Sequence, residues 1–90
     1  MEEIKRFLEE LGIQGDLEET NEGSFIMDFP ENKWGYIYSK LDKSEDLEEQ
    51  AESNQLTEDN CYLSYLNDRY IVVLNCDFNE GIYKLIITER

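Results

Sequence analysis

The stretch Arg69-Tyr70-Ile71-Val72-Val73-Leu74-Asn75-Cys76 decides how this chain folds. Four consecutive aliphatic residues, Ile71 to Leu74, are bounded by turn chemistry on both sides: Asn67-Asp68 before, Asp77-Phe78-Asn79-Glu80-Gly81 after. A short apolar run between turn signals reads as a buried strand. Because it is apolar on both faces, it is expected at the centre of a sheet, covered on both sides. Upstream, Cys61–Leu66 makes a second strand, joined through the two-residue turn Asn67-Asp68. Downstream, Ile82–Thr88 makes a third, with Tyr83, Leu85 and Ile87 on one face.

The N-terminal half supplies the rest. Ile4, Phe7, Leu8 and Leu11 recur at i, i+3, i+4 and i+7, the single apolar stripe of an amphipathic helix. Gly12 is placed to end it in a left-handed cap, with Ile13 folding back onto Leu8. Asn21-Glu22-Gly23 is a turn that links a weak acidic strand over 16–20 to a stronger one at Ser24–Phe29. After Pro30-Glu31-Asn32, Trp34, Tyr36 and Tyr38 alternate with Gly35, Ile37 and Ser39, a period of two that predicts a strand. Ser44–Asn54 reads as a short acidic helix with Ser44 as N-cap and Glu45 and Asp46 in its first turn. Its apolar face is only Leu47 and Ala51. Like charges at Glu45/Glu49 and Glu48/Glu52 cost it about 0.2–0.5 kcal/mol per pair, so a partly mobile segment is the alternative. The repeated string Asn-Glu-Gly at 21–23 and 79–81 is shared turn chemistry rather than a duplication. These elements define a single α+β domain over residues 1–90. Its antiparallel sheet has about five strands, in the order α-β-β-α-β-β-β, with the weak strand at 16–20 as an addition.

Charge is the other dominant feature. The chain carries 22 Asp and Glu against 8 Lys and Arg, has no histidine, and has a net charge of −14. No basic residue occurs from Phe7 to Asn32 or from Ser44 to Asp68, and those two stretches hold 16 of the 22 acids. A hydrophobic content of 40% separates the chain from disordered acidic segments.

Several function classes lose support. Without histidine the commonest general base and metal ligand are missing. No phosphate-cradling glycine loop or serine nucleophile motif is present, so no enzyme and no cofactor are expected. An EF-hand frame begun at Asn75 accepts Asp77 and Asn79 but puts Glu80 where glycine is needed and Ile86 where glutamate is needed. Two cysteines are too few for structural zinc, so no metal is expected. Cys61 and Cys76 sit in strand-like runs and read as buried free thiols of a reducing compartment. The absence of an 18-residue apolar stretch and of a signal-like N-terminus favours the cytoplasm, with no membrane contact.

The acidic blocks are the positive signal. Glu45, Asp46, Glu48, Glu49 and Glu52, continued by Glu58 and Asp59, form the strongest. On a helix, carboxylates at i,i+3 and i,i+4 stand about 5–6 Å apart and would present a row of anions to a Lys/Arg-lined groove. The competing reading is a solvated face, and a halophile's acidic surface is another. Tyr36 and Tyr38 are added as candidate contacts, since tyrosine is enriched at binding hot spots. Direct nucleic-acid binding is not expected, because it needs a cationic groove.

In size, charge and the stretch Glu45–Asp59, the chain resembles the small acidic phage proteins that block host defence, the anti-restriction and anti-CRISPR DNA mimics. The resemblance carries over no individual residue. It implies an acidic inhibitor that mimics nucleic acid and blocks the basic cleft of a nuclease. The same electrostatics fit an immunity protein or antitoxin facing a basic toxin. A third reading is a small adaptor, similar to a secretion chaperone, which predicts a homodimer and an exposed apolar patch.

Overall fold

A computed structural model describes residues 2–90. In chain order its elements are α1 (Glu2–Leu11), β1 (Glu18–Glu19), β2 (Ser24–Asp28), α2 (Trp34–Lys43), β3 (Glu48–Glu49), β4 (Gln55–Leu56), β5 (Asn60–Leu66), β6 (Tyr70–Asp77) and β7 (Ile82–Glu89), with 3-10 turns at Glu31–Lys33 and Ala51–Ser53. The strands form one antiparallel sheet in the order β1-β2-β7-β6-β5-β3, and β4 also pairs with β5. The fold is α+β, as the hydrophobic periodicities require. Among the described residues no helix is long and apolar enough to cross a membrane.

β6 lies at the centre, as its apolar run demands. Register stacks the sheet's inner face in rows. Leu63, Leu74, Leu85 and Met27 align across four strands, and Tyr65, Val72, Ile87 and Phe25 form the next row. All eight are buried. Ile4 and Leu8 of α1 and Ile37 and Leu41 of α2 join the same cluster, so both helices lie on this face. Removing a Leu or Ile side chain from water contributes roughly 1.5–3 kcal/mol, and this one layer of contacts holds the domain together.

The expectation that β6 is covered on both faces is not met. Ile71 and Val73 on its outer face are only half-buried, and neither belongs to the core or packs against it. The chain's two helices are both spent on the inner face, so the molecule has two layers.

α1 ends as its residues dictate. Gly12 takes a positive φ of 85°. Its N–H donates to the Glu9 carbonyl at 3.0 Å, and the Ile13 N–H donates to the Leu8 carbonyl at 2.9 Å. These are the two bonds of a Schellman motif, and Ile13 and Leu8 are both buried beneath it. The turn before β2 is closed by the Thr20 N–H donating to Ser24 O at 2.7 Å, with Gly23 at φ 82°. The weak acidic strand is present as β1, two residues long.

Two expected elements are replaced. Residues 34–39 are helical, not extended. Trp34, Ile37, Tyr38 and Leu41 fall at i, i+3, i+4 and i+7, the same stripe that marks α1, and Leu41 lies just beyond the alternating window. Ile37 and Leu41 are 1% exposed whereas Tyr36 is 53% exposed, so the partition follows the helical period. Lys40 and Lys43 in the last turn suit the helix dipole.

The acidic helix over 44–54 does not form. Ser44 ends α2 instead of starting a helix: its N–H donates to the Leu41 carbonyl, and its Oγ accepts the Asp46 N–H at 3.2 Å. The chain then runs along the free edge of β5. Glu48 and Glu49 pair with Leu66 and Tyr65, the Gln50 N–H donates to Ser64 O at 2.8 Å, and Asn54 Oδ1 accepts the Ser64 N–H at 2.9 Å. Repelling carboxylates weaken a helix here, while the open edge of β5 offers backbone groups that need partners.

Glycine substitutions separate these geometries. Gly35 lies inside α2, and a Cβ there meets nothing within 4 Å. Gly35→Ala should therefore stabilise the protein by about 0.5–1 kcal/mol. At Gly15 a Cβ would approach the Met27 sulfur to 2.6 Å, and Met27 is buried. Gly15→Ala should cost about 1–3 kcal/mol. Leu41→Ala should cost about 2–5 kcal/mol, far more than Tyr36→Ala. Urea unfolding midpoints of the four variants check all of this.

Candidate functional site

The seven carboxylates singled out by sequence are all exposed, and the edge of β5 distributes them. Glu45 and Asp46 lie in the turn after α2, Glu48 and Glu49 form β3, and Glu52 lies in the 3-10 turn that follows. Glu58 and Asp59 lie in the turn that enters β5, where Asn79 Nδ2 donates to Asp59 Oδ1 at 3.0 Å. β3 pairs at the Leu66 end of β5, whereas Glu58 and Asp59 precede its Asn60 end. Six residue steps at roughly 3.4 Å separate those ends by about 20 Å. The acids therefore form an edge with two foci rather than one helical row. Glu48 and Glu49 are further divided, since neighbouring strand residues point to opposite faces.

The first focus is a corner with shape. A groove of about 310 Å3 is lined by Glu45, Asp46, Leu47, Glu48, Leu66, Asn67 and Asp68, with no basic residue in its wall. Turn chemistry builds it. Ser44 folds the 44–46 turn on one side. On the other, Asn67 Oδ1 accepts the backbone N–H groups of Arg69 and Tyr70, both at 2.8 Å, and holds the β5–β6 turn closed. Asp68 is thereby carried up beside Asp46. Asp68 closes the same base-free block in the chain, but only the hairpin brings it to the site. An adjoining cleft of about 410 Å3 shares Asp46, Asn67 and Asp68 and adds Glu3, Arg6 and Arg69. There Arg69 bonds to Glu3 at 2.7 Å, a pair that is 63% and 68% exposed and contributes little to stability.

The tyrosines do not join the corner. Tyr36 is exposed on α2, where its hydroxyl donates to the Gly12 carbonyl at 2.8 Å and Lys40 sits 5.3 Å from its ring. It ties α2 to the end of α1. Tyr38 is half-buried, stacks on Trp34 at 5.4 Å and packs against the core.

A simpler role also explains four of the acids. One sheet edge is the two-residue strand Glu18-Glu19 of β1; the other is divided between Glu48-Glu49 of β3 and Gln55-Leu56 of β4. Short charged edge strands block pairing with other chains. That role leaves Glu45, Asp46, Glu52, Glu58 and Asp68 without a structural task in the sheet, whereas Asp59 holds Asn79 of the β6–β7 loop.

Among the described residues no three His, Cys, Asp or Glu side chains are grouped to hold a metal ion. Cys61 and Cys76 face each other across β5 and β6, free and buried. Burial pushes both thiols up, Cys76 to about 11 with the neighbouring Cys61 adding to the effect. Their placement is that of core residues. Comparison with family models, curated proteins and solved structures gives no match for this chain. The fold and surface define a two-layer acidic α+β domain.

The thiols carry a pH dependence. Each is neutral in the fold and ionises more readily once unfolded, so its contribution is complete below the unfolded value and is lost as pH rises through the folded one. The urea midpoint should fall between pH 8 and pH 11. Cys76→Val should flatten that fall without abolishing it, since burial also raises Tyr65. A fall of equal size in the variant would remove Cys76 from the account.

Proposed function

We propose that this protein acts by binding, and that its carboxylates hold a basic partner protein. The class of partner that fits best is a nuclease or other nucleic-acid-binding protein whose cationic cleft the acidic corner occludes. One observation carries the reading: Glu45, Asp46, Glu48 and Asp68 line a single groove with no Lys or Arg in its wall. These residues lie on turns and a short strand, so they form no helical row of anions. What remains is charge density and shape. One exposed ion pair contributes about 0.2–1 kcal/mol, so affinity requires several at once. The field of −14 charges also raises the association rate with a cationic surface.

An immunity protein or antitoxin would use the same corner against a basic toxin. The adaptor reading draws on a different observation, the bare outer face of the sheet, which meets its expectation of an apolar patch but not of a homodimer.

The test is retention of basic proteins from a lysate by the immobilised chain. The triple variant Glu45→Lys, Asp46→Lys, Asp68→Lys should lose the proteins that the wild type retains at 50 mM salt, and 500 mM salt should release them from the wild type. All three side chains are exposed, so the thermal midpoint should move by only a few degrees. Identical retention by the triple variant would overturn the corner as the site.

A further inference from the structure

We infer that the outer face of the sheet is a docking surface for a basic amphipathic helix of a partner protein, an inference that rests on the reading of this chain as a binder of basic proteins. Alternation turns Ile26, Ile71, Val73, Ile86 and Leu66 to the side opposite the core. All five are half-buried by their sheet neighbours alone, and none packs against the core cluster. Register gathers them. Ile26, Ile86 and Val73 form one row across β2, β7 and β6, and Ile71 and Leu66 continue the next row on β6 and β5. No element of the chain covers them among the described residues.

Each row is acidic at one end, and the other ends are Ser64 and the Thr88–Ser24 pair. Glu18 of β1 pairs with Ile26, and Glu48 of β3 pairs with Leu66, so both carboxylates stand on the same side as the apolar rows. Asp28 and Asp77 also belong to this face, where Lys84, opposite Asp28, is the one basic strand residue. Lys5, Arg6, Lys40 and Lys43 are all carried on the two helices of the other layer.

The dimensions select the occupant. β1 and β3 are separated by five inter-strand gaps, about 24 Å at roughly 4.8 Å each. A helix about 10–12 Å across, seated over β6 and β7, leaves about 6–7 Å on either side. Lysine or arginine side chains on its flanks bridge that gap to Glu18 and Glu48, while its apolar stripe covers Val73, Ile71 and Ile86. A second copy of this chain is the wrong partner, because it would set one acid-flanked face against another. An added strand is also the wrong partner, since it would pair at an edge rather than cover this face, and the edge strands β1, β3 and β4 are each only two residues long.

The experiment uses the full chain and three synthetic 18-residue peptides. The first has leucine at i, i+3, i+4 and i+7 and lysine on both flanks; the second is its scrambled isomer; the third replaces every lysine with glutamate. Titration calorimetry should show the first binding at least tenfold more tightly than the other two. Val73→Thr and the double variant Ile26→Thr, Ile86→Thr keep strand-compatible residues and should each weaken the first peptide about tenfold. Glu18→Lys with Glu48→Lys should weaken it several-fold and flatten its salt dependence. Amide shifts in NMR spectra should concentrate on β6 and β7. Equal affinity for the scrambled isomer would overturn the inference, as would unchanged binding by both threonine variants. A dimer of the free chain that Val73→Thr dissociates would also overturn it, by making a second copy the occupant. Binding lost only in the Glu45/Asp46/Asp68 triple variant would overturn this face while leaving the corner reading standing. Face-dependent binding in a chain whose corner variant still captures basic proteins would do the reverse.

Discussion

Strict alternation through β6 is the constraint on which the molecule depends. Val72 and Leu74 point to one side and continue the rows of Tyr65 and Leu63 on β5 and of Ile87 and Leu85 on β7. Both helices close over that side through Ile4, Leu8, Ile37 and Leu41. A shift of one residue in the pairing of β6 would turn Ile71 and Val73 inward and Val72 and Leu74 out, and neither helix would meet its partners. With 90 residues and one helical layer, no second core is available to compensate.

That constraint also sorts the charge. Carboxylates are excluded from the packed face and lie at the sheet's edges, on its outer face, in the turns and on the solvent sides of the helices. At the edges a pair of glutamates on β1 and another on β3 keep an otherwise open sheet from pairing with its neighbours. Beyond the edges, the turn at Ser44–Asp46 and the hairpin turn at Asn67-Asp68 converge on a groove walled by acids. Self-repulsion among these groups opposes compactness. Only one ion pair, Glu3 with Arg69, relieves it among the described residues. The packed inner layer therefore carries the stability, and the acidic surface reduces it.

Much of this was legible in the residues. The helix at the N-terminus, its glycine cap with Ile13 turned back on Leu8, the turn at Asn21–Gly23 and the three C-terminal strands follow from local periodicity and turn chemistry. The failures have identifiable causes. In residues 34–39 the alternation of aromatics and the helical stripe coincide, and only Leu41 breaks the tie. In residues 44–54 local signals are weak in both directions, so the unfilled edge of β5 decides the outcome. Asp68 was invisible as a site residue because its neighbour Asp46 is 22 positions away in the chain.

The order of apolar and polar residues by itself determined the fold class, the central place of β6, the cap of α1 and the excess of anions, because each depends on spacing within a few residues or on composition. Only the tertiary structure decided that the acidic segment lies extended along β5, that the acids divide between two ends of that strand, and that one face of the sheet is bare. Those outcomes turn on which backbone groups and apolar surfaces remain unpaired after the strands have met, and that is set by contacts between residues far apart in the chain.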